Sequence, residues 1–266
     1  MERWQHNLTT LLRRLVPKQY RWPATDIWLP GRQLHLVGSI HMGTRNMMPL
    51  PPALLTLLEK ADALIVEADI TGSASPFTYN EPQPPLAQRL DAATLQQLER
   101  LCDELNLSLA QLEALPLWQI ALMLQAQQAQ RLGLRPDYGI DYQLLQAAHA
   151  QGRRIIELEG ASEQLDILKT LPEDGESLLA DTLEHWHTNA RLLQTMISWW
   201  LEKPPPQSRT ALPTTFSTEL NDLLMRQRNQ RWNRLLRDLP PGRYVVAVGA
   251  LHLYGENNLP DLLKRR

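Results

Sequence analysis

Short apolar runs separated by turn residues set the pattern of this chain. The runs at 26–30 and 33–40 flank Pro30-Gly31 and predict a β-hairpin. Pro51-Pro52 suit the first turn of a helix, and the apolar spacing through 53–61 continues it. Ala63–Asp69 reads as a short buried strand, so strand, helix and strand together suggest a βαβ unit. The Pro-rich stretch 73–85 reads as a loop. It introduces a Leu-, Ala- and Gln-rich region from about 90 to 151, where Pro116, Pro136 and Gly139 divide three or four expected helices. Arg154–Leu158 returns to strand character. One helix is expected over 176–202, closed by Pro204-Pro205-Pro206, and another over 217–237. Pro240-Pro241-Gly242 turns the chain into the apolar strand Tyr244–Val248, with a short terminal helix after it. The pattern predicts an α/β fold: a central mixed β-sheet of strands distant in sequence, flanked by helices, with a large helical insertion at about 86–151. One domain is expected over 26–266, preceded within 1–25 by an amphipathic helix whose apolar positions are Trp4, Leu8, Leu11, Leu12 and Leu15.

Composition narrows the function. With 43% hydrophobic residues in 266, material for a core is ample. The 27 Lys+Arg against 29 Asp+Glu give a formal net charge of -2, which argues against a general nucleic-acid binder. Cys102 is the sole cysteine, so an intrachain disulfide and Cys-rich zinc sites are excluded, and any metal must rest on His and carboxylates. Arg13 and Arg14 interrupt the N-terminal apolar positions, unlike a secretory signal or a membrane span. No transmembrane segment is therefore expected, and the cytoplasm is the default location. The acid-free segment from Arg3 to Thr25 is expected to dock on the domain, with weak contact to a membrane surface as the alternative. The oligomeric state stays open.

One internal echo carries the chemistry. Leu34–Gly43 and Val245–Gly255 both run from an apolar strand into Gly-x-x-His, giving Gly38 with His41 and Gly249 with His252. A glycine at a strand end permits a sharp turn or a close approach, and the histidine is then presented at the carboxyl edge of the sheet. Two other expected strands end in carboxylates, Glu67 (with Asp69 beyond it) and Glu159 (after Glu157). If these strands are parallel neighbours, His41, His252, Glu67 and Glu159 converge. Buried carboxylates need a positive partner, and a divalent cation held by two His and one or two Glu supplies it; Mn, Co, Fe and Zn all suit such a set. Arg228 offers a planar cation for an oxyanion or a substrate carboxylate, against a plain salt bridge as the other role. Asp141 is either a helix cap or a partner that orients a site histidine. His185 and His187 point to different sides of their helix, and His6, His35 and His149 read as surface or packing residues.

These residues resemble the TraB/GumN/Tiki family. The resemblance rests on Val37–Gly43, Leu50-Pro51-Pro52, Ala61–Asp69, Gly139-Ile140-Asp141, Ile155–Glu159, Arg228-Asn229 and Val248–His252, over about residues 26–260. Finer features, such as Pro116–Ala121, Glu184–Leu193 and Pro241–Tyr244, look like its bacterial YbaP-like subgroup. The resemblance implies a Tiki- and erythromycin-esterase-like metallohydrolase fold that acts with manganese or cobalt on a peptide or small-molecule substrate, with a non-catalytic metal- or ligand-binding regulatory protein of the same fold as the alternative. It places His41, Glu67, His252 and Arg228 in the catalytic centre. The ion would sit on His41, Glu67, His252 and Glu159, with Asp141, Asn229, Gly38 and Gly249 against substrate or behind the ligands.

Overall fold

The computed structural model describes residues 19–72, 82–205, 212–213 and 215–265. The hairpin forms as the alternation demands. Strand β1 (Ala24–Leu29) pairs antiparallel with β2 (Arg32–Ser39), and Gly31 takes the left-handed φ of +72° that the turn between them requires. The remaining strands are β3 (Ala63–Val66), β4 (Arg154–Glu157) and β5 (Gly242–Gly249), and the sheet order is β1-β2-β5-β3-β4. Strands β2, β5, β3 and β4 run parallel, so their carboxyl ends share one edge. Ser39 lies opposite Gly249, and Val66 opposite both Ala247 and Glu157. All four residues of β3 and the run Tyr244–Val248 of β5 are buried, as central parallel strands covered on both faces must be.

Helices Pro52–Glu59 and Ile140–Ala150 cover the sheet through Leu54, Leu58, Leu144 and Leu145, and helix Gln227–Asp238 does so through Trp232 and Leu236. A second apolar cluster joins helices Ala92–Leu105, Leu117–Arg131 and Glu176–Glu184 around Leu98, Trp118, Leu124 and Leu179. It draws on segments beyond 151, so the helical part of the molecule is assembled from two stretches of sequence.

Three expectations change. Residues 19–23 are not helical and β1 starts at Ala24, because Pro23 disfavours helix at Trp22; residues 1–18 of the expected N-terminal helix lie outside the described residues. Most of the expected loop, 73–81, also lies outside them. The stretch 90–151 holds four α-helices, within the number expected, and the single-turn helix Leu86–Arg89 precedes them. The expected helix over 176–202 is two, Glu176–Glu184 and Trp186–Leu201, with a kink at His185 (φ -97°, ψ 19°). The helix expected over 217–237 holds a π-helical segment, Asp222–Arg226, between Thr218–Asn221 and Gln227–Asp238. No helix among the described residues is long and apolar enough to cross a membrane.

Candidate active site at the carboxyl edge of the sheet

Parallel pairing places the ends of four strands side by side. His41 follows β2, Glu67 follows β3, Glu159 follows β4, and His252 lies in the 3-10 turn Ala250–Leu253 after β5. Backbone bonds extend the β3–β4 pairing past the strand ends, since the N–H groups of Glu159 and Gly160 both donate to the Glu67 carbonyl. His41, Glu67, Arg228, Gly249 and His252 all line one cavity of about 480 Å³.

Each imidazole is held from behind. His41 Nδ1–H donates to Asp141 Oδ2, and His252 Nδ1–H donates to Asn229 Oδ1 at 2.7 Å. The Asn229 amide cannot flip without loss, because its Nδ2 donates to the Asn257 carbonyl at 3.1 Å. That fixes the proton of a neutral His252 on Nδ1 and leaves Nε2 with its lone pair. Asp141 sits in the first turn of helix Ile140–Ala150, whose cap position is Gly139, so the orienting role is the one the structure gives it. Gly139 is required there for a second reason: a Cβ would lie 2.3 Å from the His41 carbonyl oxygen. Trp232 braces the other side, its ring 4.5 Å from that of His252 and 4.6 Å from the Arg228 guanidinium carbon.

The positive charge beside the buried glutamates belongs to Arg228. Its Nη2 donates to Glu67 Oε2 at 2.6 Å and to Glu159 Oε2 at 2.8 Å, and its Nε donates to Glu159 Oε1 at 2.9 Å. Nη1 donates to the Leu224 carbonyl at 3.2 Å and reaches to 3.5 Å from His252 Nε2. The guanidinium is thus a buried strut, and the salt-bridge role replaces the expected hold on a substrate oxyanion. Glu159 has a structural task as well. Its fully buried carboxylate also accepts from Arg231 and from Trp232 Nε1 at 3.0 Å, which saturates it and withdraws it from the expected ligand set. Glu67 retains acceptor capacity: Oε1 takes the Gly249 N–H at 2.7 Å, and Oε2 takes Gln164 Nε2 at 3.2 Å besides Arg228.

Electrostatics separates the three titrating groups. The Asp141 carboxylate raises His41 to about 9, so in the metal-free protein it carries a proton at neutral pH. Burial, opposed by Glu67, drives His252 down to about 3 and keeps it neutral. Burial works against a charged Glu67, but Arg228, the two histidines and the Gly249 N–H outweigh it and pull the carboxyl down to about 2.

The donor set fits a divalent ion at three positions: two imidazoles anchored through Nδ1 and one ionised carboxylate with a lone pair to spare. Anchored Nδ1 atoms are the usual backing of metal-bound histidines. The trio is open, however. Among the described residues, only Asp181, Glu184 and His185 bring three ligand atoms within 4.8 Å of one another, at a site away from the sheet edge where Asp181 already accepts from the Ser217 N–H. The His41 side chain, 68% exposed, is the member of the site trio with room to move.

Gly38 touches no ligand position. It lets the turn after β5 pack on β2, for a Cβ there would meet Ala250 and Pro23 at 3.1 Å, while its carbonyl accepts from Trp200 Nε1. Gly249 acts behind Glu67, through its N–H. Asp69 and Glu157 bond to each other's neighbourhood on the outer surface, with Asp69 N–H donating to Glu157 Oε1 at 2.6 Å. His35 is buried against Asp26, and exposed His149 lies 3.8 Å from Asp69. Sequence reading missed Gln164, Arg231 and Trp232. The last two were legible in principle, since Arg228, Arg231 and Trp232 stand at i, i+3 and i+4 on one helix face.

The TraB/PrgY/gumN family profile matches residues 22–266. The chain is 55% identical over 260 residues to a protein of Escherichia coli (strain K12) named "Uncharacterized protein YbaP", covering 97% of this chain and 98% of that one. A protein of the same name from Shigella flexneri shows the same identity and coverage. No solved structure matches the chain.

Proposed function

That this chain belongs to the TraB/PrgY/gumN family is the premise from which we propose a metal-dependent hydrolase, peptidase-like in its chemistry and Tiki- and erythromycin-esterase-like in its architecture. One observation carries the reading: imidazoles from opposite ends of the chain, each held at Nδ1, line one cavity together with an ionised glutamate. His41, His252 and Glu67 would hold the ion, with Mn or Co foremost and Zn or Fe as alternatives. When bound, such an ion polarises a carbonyl and lowers the pKa of a water towards neutrality.

The chain's own residues do the remaining work. Asp141 and Asn229 keep protons on Nδ1, so both Nε2 atoms are donors of electron pairs. Arg228 and the Gly249 N–H hold Glu67 ionised and in place, and Glu159 with Trp232 holds Arg228. Without an ion, His41 is the stronger base of the two rings and takes its proton on Nε2.

A second reading, a binding protein without turnover, has one observation behind it: four of the five N–H groups of Arg228 are held by Glu67, Glu159 and the Leu224 carbonyl, and the fifth faces His252 Nε2 at 3.5 Å. Calorimetric titration with Mn²⁺ and a panel of peptides and esters separate the two. The hydrolase reading expects about one Mn²⁺ per chain and metal-dependent turnover. It expects His41→Ala and His252→Ala each to lose more than the roughly 10–100-fold in affinity that removal of an outer partner costs. Stoichiometric Mn²⁺ with no turnover on the panel would favour the binding reading.

A further inference from the structure

The cavity above the site has walls quite unlike its floor. The floor is His41, Glu67, His252 and Arg228, while the walls are aliphatic, sulfur-bearing and aromatic: Leu122 and Ala126 from helix Leu117–Arg131, Leu193 and Met196 from helix Trp186–Leu201, Phe216, and Met225. Met225 comes from the π-helical segment Asp222–Arg226. That segment also turns the Leu224 carbonyl onto Arg228, so one irregular turn serves both wall and floor.

The two glutamines of the wall are engaged elsewhere. Gln125 donates to Thr182 Oγ1 at 2.9 Å and Gln128 to the Trp186 carbonyl at 2.7 Å. The charges on the floor are paired, Glu67 with Arg228 and His41 with Asp141. A charged group brought against these walls would lose water and meet no charged side chain on them, at heavy cost. An apolar group would be rewarded in proportion to the area it hides. The volume of about 480 Å³ lies within the usual range of small-molecule pockets.

We propose that the cavity receives an uncharged aliphatic group attached to the carbonyl that the site hydrolyses, an acyl chain or a leucine-like side chain. The hydrolytic half of this inference rests on the reading above, whereas the binding half stands on the walls alone. Met196 and Met225, flexible and polarisable, suit a wall that accommodates chains of differing shape.

The test begins with binding. The neutral fluorophore phenylnaphthylamine is titrated into the full chain and displaced with primary amides from acetamide to octanamide, and Mn²⁺ uptake is measured in parallel. Fluorescence should rise on addition of protein, and amide affinity should grow about fourfold per added methylene. Ala126→Trp, which fills the cavity, and Leu193→Gln, which makes its wall polar, should each weaken octanamide by about tenfold or more while Mn²⁺ uptake stays unchanged. Circular dichroism identifies whichever variant folds. Equal displacement by acetamide and octanamide, or wild-type affinity in a folded variant, would overturn the proposal. Mn²⁺ uptake without amide binding sinks the aliphatic cavity and spares the metal site; amide binding without Mn²⁺ uptake does the reverse.

Turnover of the Mn²⁺-loaded protein then distinguishes the sources. Rates on p-nitrophenyl esters from acetyl to decanoyl that climb with chain length point to acyl groups. A preference for leucine over aspartate beside the scissile bond of fluorogenic peptides points to side chains. Rates indifferent to both would overturn the aliphatic group as substrate.

Discussion

At the scale of single residues, the decisive feature is how few polar atoms of the site are free to do anything but hold one another. Arg228 bridges two carboxylates, one of them wholly buried. Replacing it with methionine strands Glu67 and leaves Glu159 with Arg231 as its remaining cation, and urea denaturation should show a loss of about 3–5 kcal/mol. A guanidinium waiting for substrate would leave stability nearly unchanged. His41 gives a signed pH effect. Its proton is held more tightly in the folded chain, up to about 9, than in the unfolded one near 6.5. The stability this contributes is complete below pH 6.5 and is lost as pH rises through 9. Asp141→Asn should erase that alkaline slope and return the His41 ring signals in an NMR titration towards the ordinary value. A proton on Nε2 also competes with a metal ion. Mn²⁺ affinity should therefore rise about tenfold per pH unit up to about pH 9 in the wild type, and level off earlier in Asp141→Asn.

Among elements, the carboxyl edge of the sheet is what makes a site out of distant residues. Its precision depends on close backbone approach at Gly139, where an added Cβ would stand 2.3 Å from the His41 carbonyl oxygen. Gly139→Ala must displace the His41 turn, so Mn²⁺ affinity should fall by at least about tenfold while circular dichroism keeps its native shape. Much of this level was legible in the sequence. The hairpin around Pro30-Gly31, the buried run at 63–66 and the apolar strand after Gly242 are written in local pattern and turn chemistry, and Gly-x-x-His twice over marks the edge. Local pattern could not show the kink at His185 or the π-helical turn, because both sit within unbroken helical periodicity and are fixed by tertiary contacts such as Gln128 to the Trp186 carbonyl. Nor could it show which cation neutralises Glu67 and Glu159, since that depends on where helix Gln227–Asp238 lands on the sheet.

For the whole molecule, the site is a burden in acid. The unfolded chain protonates His252 below pH 6.5, while the folded chain resists until about 3; Glu67 gives up its charge near 4.5 when unfolded and near 2 when folded. Both therefore withdraw stability as pH falls, His252 between 6.5 and 3 and Glu67 between 4.5 and 2. Urea midpoints should decline across that span, and His252→Gln should flatten the part above pH 4.5. The fold accepts this burden because strands from both ends of the chain, β2 and β5, pair side by side and bring His41 and His252 to one cavity. Pulsed electron paramagnetic resonance of the Mn²⁺-loaded protein examines that meeting directly, by counting the imidazole nitrogens bound to the ion. The account predicts two, falling to one in His41→Ala and in His252→Ala, and remaining two in Glu159→Gln and His149→Ala. Bound Mn²⁺ with no imidazole coupling, or with a coupling that neither histidine variant alters, would contradict it.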